Sequence, residues 1–155
     1  MVETSKIIQI ETKDFFDNYF FRFEAIAGRN REELFPENID NYVLMNPDKF
    51  QDRLREADKI VYCTGKAINE CEDIKRKPYR TILVDYYLKQ MMNKEVAETI
   101  GYSLSRYSIL KTRALMEFAD NFNYWIAQQD VKPVFKLVYK KKQSRGGRPK
   151  KAQNV

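Results

Sequence analysis

A chain of 155 residues supplies enough material for one compact domain or two small helical parts, and it excludes a large multidomain architecture. Aromatic residues make up 14% of the sequence and charged residues 32%, and the lack of a long apolar run argues against a membrane span. The formal net charge of +6 is concentrated near the C-terminus, because nine basic residues and no acidic one follow Asp130. A nearly neutral body with a polybasic end is typical of proteins that bind polyanions, above all nucleic acids.

The inventory of reactive side chains argues against an enzyme. The sequence contains no histidine, so the commonest general base and metal ligand is missing, and neither a Gly-rich phosphate loop nor a GxSxG motif occurs. Cys63 and Cys71 lie eight residues apart in a segment with helical periodicity, which favours two buried thiols over a disulfide or a zinc site. We therefore expect no catalytic residue, no metal and no cofactor. Because residues 1–6 lack the features of a secretory signal, we expect a cytoplasmic protein that does not associate with membranes.

The N-terminal part begins with a dense aromatic cluster. Six of the ten residues from 14 to 23 are aromatic, too many for one face of an isolated helix. This pattern predicts a core-forming helix that ends near Gly28, and the alternative is that some of these rings form a self-association surface. The following residues 29–46, with Pro36 and several Asn and Asp, are typical of a loop.

A long helix is predicted next. In the tripeptide NPD at 46–48, asparagine suits a helix N-cap, proline the first helical position and aspartate the positive end of the helix dipole. Apolar side chains then recur every three or four residues to about Lys75, which predicts a stripe that would form a bundle core or a dimer seam. The members of this stripe are Phe50, Leu54, Ala57, Val61, Thr64, Ile68, Cys71 and Ile74. Because the residue before a proline disfavours the helical conformation, Pro78 predicts that this N-terminal region ends at Lys77.

Residues 93–110 fit a helix-turn-helix at each mechanically demanding position, and residues 78–91 carry apolar side chains at the helical spacing needed to support it. Ala97 provides the small side chain where two crossing helices approach closely, and Gly101 suits the left-handed conformation that ends the first helix. Ser103 is a natural N-cap for the second helix, flanked by Tyr102 and Tyr107 at the positions of a hydrophobic staple. The shared core is expected to come from Val96, Ile100, Tyr102, Tyr107 and Leu110.

The second helix of this unit has an outer face that is short of acidic residues. In a DNA major groove, arginine pairs with guanine, serine is an adaptable donor and isoleucine meets thymine methyl groups. We therefore predict base reading by Ser105, Arg106, Ser108, Ile109 and Thr112. Contacts to phosphates, which fix the register without reading sequence, are predicted for Arg80, Lys94, Ser103, Lys111 and Arg113. The alternative is a three-helix interaction module with the same turn but without a DNA ligand.

The segment from Pro78 to Phe122 carries a specific combination of short motifs. They are YRTIL at 79–83, IGYS at 100–103, Tyr107, KTR at 111–113 and ALMEFA at 114–119. This combination resembles the ArpU-type phage regulators, a family named for an autolysin regulatory protein. The same segment is similar to the promoter-reading fourth region of primary sigma factors. Leu104, Ser108 and Ile109 stand where relatives often carry charged or polar residues, so the operator sequence does not follow from the resemblance.

The resemblance implies a phage or prophage transcription regulator, such as an activator of late genes that works beside bacterial RNA polymerase at the host nucleoid. Two other classes stay open. One is a protein-interaction adaptor that touches RNA polymerase or a virion component. The other is a packaging-initiation protein of the small-terminase kind, which would also bind DNA but would form rings. Symmetric operators would favour a homodimer, formed through the aromatic N-terminus or the apolar stripe at 47–75, and the sequence leaves open a homodimer or a higher oligomer.

The C-terminal region is predicted to be an extended arm at 131–139, followed by a basic tail without apolar periodicity that is disordered in the free protein. The tail residues predicted to bind DNA are Lys140, Lys141, Lys142, Arg145, Arg148, Lys150 and Lys151. The tripeptide GRP at 147–149 is similar to the core of a minor-groove AT-hook, although Gly146 breaks the usual Arg-Gly-Arg-Pro. The alternative is a tail that binds phosphates without sequence preference.

Taken together, these patterns predict an all-α protein in three parts. Residues 1–77 would form a helical N-terminal region that could mediate oligomerisation. Residues 78–129 would form a C-terminal helix-turn-helix DNA-binding domain, and residues 130–155 the arm and the basic tail. The predicted function is sequence-specific binding of double-stranded DNA to regulate transcription, without enzymatic activity.

Overall fold

The computed structural model describes residues 7–139, of which 63% are helical, in five helices with a small two-stranded sheet. Helix α1 spans residues 12–27 and contains a π-helical segment, Phe15–Tyr19, whereas α3 spans residues 79–88 and ends in a π-helical segment, Val84–Leu88. The other helices are α2 (Asp52–Asn69), α4 (Asn93–Ile100) and α5 (Leu104–Gln128), and the strands are β1 (Ile8–Glu11) and β2 (Phe135–Val138). Two short 3₁₀ helices, Arg31–Leu34 and Ile39–Asn41, lie between α1 and α2.

Helix α1 confirms the core-forming helix predicted from the aromatic cluster. Phe15, Phe16 and Phe20 are buried, and Phe16 stacks on Tyr87 of α3 with ring centroids 3.9 Å apart. The helix ends at Gly28, which adopts φ 68° and donates its N–H to the carbonyl oxygen of Ala25. Glycine lacks a Cβ and therefore adopts this left-handed conformation without steric strain. The helix end could for this reason be predicted from Gly28 itself.

The helix start predicted at residues 46–48 is wrong, because α2 begins at Asp52. The Asn46 side-chain oxygen accepts the N–H of Asp48 at 2.8 Å, and its carbonyl accepts the N–H of Lys49 at 3.1 Å. An asparagine that can cap a helix can equally close a turn on the backbone two residues later, and here the turn is formed. Phe50 is accordingly 42% exposed and does not belong to the buried stripe.

The middle of the predicted apolar stripe is confirmed. Ala57, Val61, Thr64 and Ile68 are buried on α2, which packs against α1 and α5. The helix stops at Asn69 instead of about Lys75, and Ile74 lies 51% exposed in the turn that follows. The central turns of the stripe therefore pack into the core of the monomer.

Gly65 lies where α2 packs closely against the two 3₁₀ segments. A Cβ built on this residue would lie 2.6 Å from Cδ1 of Ile39 and 2.8 Å from Cδ2 of Leu34, and both side chains are buried. We expect Gly65→Ala to lower the free energy of unfolding by about 1–3 kcal/mol, because the added methyl overpacks the core. Urea denaturation monitored by circular dichroism measures this change. An increase in stability, which the greater helix preference of alanine alone would give, would contradict the close contact.

The sequence expectation of an all-α fold is corrected by a parallel two-stranded sheet. Strand β2 pairs with β1 in a register that sets Ile8 beside Phe135 and Glu11 beside Val138. The predicted arm is therefore a strand packed on the body, with Phe135 and Leu137 buried. The side-chain amide of Asn123 on α5 donates to the carbonyl of Leu137 and accepts its N–H, both at 2.8 Å. Strand β2 is thus fixed by β1, from the other end of the chain, and by Asn123. The local alternation at 131–139 specifies neither partner.

One hydrophobic cluster contains the buried apolar residues on both sides of the boundary predicted at Lys77. Phe15 from α1 lies 5.1 Å from Phe122 of α5 between ring centroids, and Phe16 lies 4.8 Å from Phe118. Helix α5 therefore packs its C-terminal half directly against the N-terminal part of the chain. This packing leaves the first turns of α5 to be positioned by α4 and by the turn between the two helices.

The two cysteines agree with the expectation of buried thiols. Cys63 and Cys71 are buried free thiols, and burial raises the pKa of the Cys63 thiol to about 12. Both thiols therefore stay protonated at neutral pH, as predicted for core residues. Within residues 7–139, no helix has both the length and the apolar character needed to cross a bilayer.

Candidate nucleic-acid interface

The turn between α4 and α5 has the local features predicted from the sequence. Gly101 adopts φ 78°, and the N–H of Tyr102 reaches back to the carbonyl of Ala97 at 3.0 Å, which satisfies the end of α4. Ser103 precedes α5 in an extended conformation, and its hydroxyl accepts the N–H of Arg106 at 3.2 Å. The predicted helix end at Gly101 and the predicted N-cap at Ser103 are both confirmed.

Helices α4 and α5 are held together by a small core and by tyrosine hydroxyls. Val96 and Ala97 of α4 are buried, as are Tyr107 and Leu110 of α5. Burial raises the pKa of Tyr107 to about 12, so its hydroxyl keeps its proton and donates to the Oδ1 atom of Asn93 at 2.7 Å. This bond joins the first turn of α4 to the first turn of α5. The crossing of the two helices is thus fixed by packing and by a polar contact within the same pair.

On the other side of the turn, the Tyr102 hydroxyl donates to the carbonyl of Lys75 at 3.0 Å. This contact ties the turn to the segment between α2 and α3. Glu95 is also engaged locally, because its carboxylate accepts the N–H of Met92 at the start of α4 at 2.9 Å. The turn is therefore anchored to the body of the protein, and one acid of α4 is directed to the end of its own helix.

The predicted base-reading residues lie on the solvent-facing side of α5. Ser105, Arg106 and Ser108 are exposed, Ile109 is 46% exposed and Thr112 is half-buried. Residues 104–116 contain three basic residues and no acidic one. No other part of the described chain covers this face, so an external ligand has direct access to it.

The five predicted phosphate-binding residues fall into two groups. Lys94, Ser103 and Arg113 are exposed around the turn and along α5. Arg80 instead forms an ion pair with Asp73 at 3.3 Å, and the same carboxylate accepts the N–H and the hydroxyl of Thr81. Arg80 is therefore already engaged within the chain and is less available to an external anion.

Lys111 is also engaged within the fold. Its ammonium lies 3.3 Å from the ring centroid of Tyr86, and it donates to the Oδ1 atom of Asn93 at 3.1 Å. Its pKa falls to about 8, chiefly because of burial and further because Lys13 lies nearby, while Asp17 opposes the shift. A partly buried lysine with a lowered pKa differs from an ordinary exposed phosphate contact.

The fold brings further polar residues to the flank of α5 that sequence reasoning missed. A groove of about 390 Å³ lies beside Leu104, Ser108 and Thr112, and its other walls include Lys13 from α1, Asn93 from α4 and Tyr139 after β2. Nothing in the local sequence around Lys13 indicates this position, because it depends on the pairing of β1 with β2. The alternation at 131–139 does place Tyr139 at the end of the predicted extended arm.

The predicted tail residues, from Lys140 to Lys151, lie outside the described residues, as does the GRP tripeptide at 147–149. The last described residue, Tyr139, lines the groove beside α5. The chain therefore leaves the described region next to the predicted base-reading face. The first lysines of the basic segment follow directly in sequence.

Comparisons with known proteins do not assign this surface. No family model, no curated protein and no solved structure matches the chain.

Proposed function

We propose that this protein binds double-stranded DNA in a sequence-specific manner and regulates transcription, with the first turns of α5 as the recognition helix of a helix-turn-helix. The observation that carries this proposal is the uncovered, acid-free face of α5 between Leu104 and Met116. An α-helix with its side chains is about 10–12 Å wide, which matches the width of the DNA major groove, about 12 Å. The anchored turn fixes the angle at which this helix would enter the groove.

The roles of the individual residues follow from their position on the helix. Arg106 and Ser105 lie in the first turn of α5, where recognition helices contact base edges. The apolar Ile109 lies one turn later and suits a thymine methyl group. Lys94 and Arg113 flank this face and suit phosphates, which would set the register of the protein on the duplex.

The biological setting follows from the resemblance of residues 78–122 to ArpU-type phage regulators. In this setting the protein acts at the nucleoid of a bacterial host as a phage or prophage regulator, such as an activator of late genes beside RNA polymerase. A homodimer would read two half-sites about 34–36 Å apart. The basic segment after Tyr139 would add contacts that are independent of sequence.

A second candidate function is that of a protein-interaction adaptor for RNA polymerase. The observation that favours it is the presence of three exposed apolar side chains on α5, since Leu104 is 53% exposed and Ile109 and Met116 are each 46% exposed. Apolar side chains on an exposed helix face also suit a protein partner. A packaging-initiation protein is a third candidate, and its ring would be recognised from its mass in solution.

The test is selection of bound duplexes from a random pool, followed by titration of the preferred duplex at physiological salt. We expect Arg106→Ala to weaken binding to the preferred site by about 1–3 kcal/mol and to relax the preference at one base pair. The matched control is Arg53→Ala, which removes another exposed arginine at the start of α2. Equal loss on a random duplex would make Arg106 a phosphate contact, and failure of the wild-type chain to bind any duplex would favour the adaptor.

A further inference from the structure

The exposed part of α5 has two different flanks. At 100° per residue, Ser105, Ile109 and Met116 lie along the centre of the exposed face. Arg106 and Arg113 lie along one flank, and both are exposed. The opposite flank contains Leu104, Ser108 and Thr112, and it borders the groove whose other walls come from α1, α4 and the end of β2. A helix in a major groove has a sugar-phosphate strand on each side, so each flank would face one strand.

We infer that this groove binds a backbone phosphate of the DNA duplex, with Lys13 as the cation that the N-terminal helix contributes to the interface. The inference rests on the proposed DNA binding and adds a phosphate site that the turn and α5 alone do not form. It also assigns Ser108 and Thr112 to the phosphate strand instead of to base edges. Specific reading is then concentrated on Ser105, Arg106 and Ile109.

Two lysines give the groove a positive charge. Lys13 and Lys111 both line it, and Lys13 lies close enough to contribute to the lowered pKa of Lys111. Among residues 7–139, no carboxylate lies within 4.0 Å of either ammonium group. Asp17 offsets part of the repulsion between the two neighbouring cations, and a bound anion would relieve the rest.

The groove also contains several hydrogen-bond donors. The hydroxyl groups of Ser108, Thr112 and Tyr139 line the same groove as the two lysines. The Oδ1 atom of Asn93 already accepts from Tyr107 and Lys111, which leaves its amide N–H groups as donors. Lysine ammonium, hydroxyl and amide N–H groups are the side-chain donors that contact phosphate oxygens in protein–DNA complexes.

The groove lies directly before the polybasic segment in sequence. Tyr139 lines the groove, and Lys140, Lys141 and Lys142 follow it in sequence. A phosphate strand that passes through the groove would therefore meet the beginning of the polybasic segment. The same strand would connect the contact made by the body of the protein with the contacts proposed for the tail.

The test compares Lys13→Ala with wild type on both the preferred duplex and a random duplex over a range of salt concentrations. We expect a similar fold loss of affinity on both duplexes and a reduction of the salt slope by about one unit, because one phosphate contact is lost. The matched control is Lys136→Ala, which removes an exposed lysine of β2 that does not line the groove. Lys13→Arg should retain binding, and an unchanged melting temperature checks that Lys13→Ala still folds.

A second measurement follows the proton uptake that accompanies duplex binding. Lys111 faces Lys13 and Asp17 from α1, Tyr86 and Tyr87 from α3, Tyr107 from its own helix, and Tyr139 across the groove. A phosphate near Lys111 would raise its pKa from about 8, so duplex binding at pH 8 should take up on the order of half a proton. Calorimetry in two buffers of different ionisation enthalpy measures this uptake, and Lys111→Met should abolish it.

The outcomes separate the inference from the proposed function. If wild type binds no duplex, both fail. If wild type binds but Lys13→Ala behaves like Lys136→Ala, the groove does not contact DNA and the inference alone is overturned. A loss confined to the preferred duplex would also overturn it, because Lys13 would then read bases. Equal loss on both duplexes with a reduced salt slope supports it.

Discussion

Replacing Asp58 with alanine is expected to lower the free energy of unfolding by about 3–5 kcal/mol, because it removes the shared acceptor of a buried network and the buried ionic partner of Arg29. The Asp58 side chain is fully buried on α2. It accepts hydrogen bonds from Nε of Arg29 at 2.7 Å, from the Tyr42 hydroxyl, and from the N–H of Met45 at 2.8 Å. One carboxylate therefore holds both Arg29, shortly after α1, and Met45, in the segment that leads to α2.

The rest of the network depends on the same carboxylate. The Arg29 guanidinium also donates to Glu33 at 2.9 Å and to the carbonyl of Val43, and it lies 4.0 Å from the ring centroid of Tyr42. Burial and the bond to Asp58 raise the pKa of the Tyr42 hydroxyl, which keeps it a donor at all physiological pH values. Without the Asp58 carboxylate, Nε of Arg29 and the N–H of Met45 would lose this acceptor, and the Tyr42 hydroxyl would keep only the backbone carbonyl at the same position, at 3.3 Å.

Urea denaturation of Asp58→Ala measures the expected loss, and Asp40→Ala is the matched control. Asp40 pairs with Lys66 at 3.8 Å, but its side chain is 88% exposed, so its removal should change stability by no more than about 1 kcal/mol. Similar effects of the two substitutions would contradict the buried network. The folded domain has a total stability of the order of 5–15 kcal/mol, so the Asp58 variant would lose a large fraction of it.

The features that the sequence predicted correctly have causes within a few residues. Gly28 and Gly101 end helices because each adopts a left-handed conformation, and Ser103 caps α5 because its hydroxyl reaches a backbone N–H three residues later. The burial of Val61 and Ile68 follows from helical periodicity. The exposed face of α5 was predictable for the same reason, since its buried and exposed residues alternate with the helical repeat.

The features that the sequence did not predict depend on distant partners. Strand β1 pairs with a strand that lies more than a hundred residues later, so neither short segment identifies itself as part of a sheet. Asp58 occupies a position that reads as an ordinary charged residue of a helix, and only Arg29 and Tyr42 make its burial favourable. Lys13 joins the flank of α5 through the same long-range pairing. The turn at Asn46 shows the remaining case, in which one residue supports two local structures and the context selects between them.

Deleting residues 140–155 is expected to reduce the slope of log affinity against log salt by about five units, because five or six of the seven cations in this segment would each release a counter-ion from DNA. Between 50 and 200 mM salt, the affinity of the full chain should then fall by about a thousandfold more than that of the truncated chain. The reason is that phosphate contacts supply the sequence-independent part of binding. Titration of a fluorescent duplex at several salt concentrations measures both slopes.

A shorter deletion, of residues 152–155, is the matched control, because the segment AQNV carries no charged side chain and its removal should leave the slope unchanged. An unchanged slope in the longer deletion would remove the basic segment from the interface and favour an adaptor that uses it only for solubility. A loss confined to A·T-rich flanking sequence would instead identify the GRP tripeptide at 147–149 as a minor-groove hook. Because Tyr139 lies beside α5, the lost contacts should map next to the half-site that α5 reads, and footprinting of both chains would locate them there.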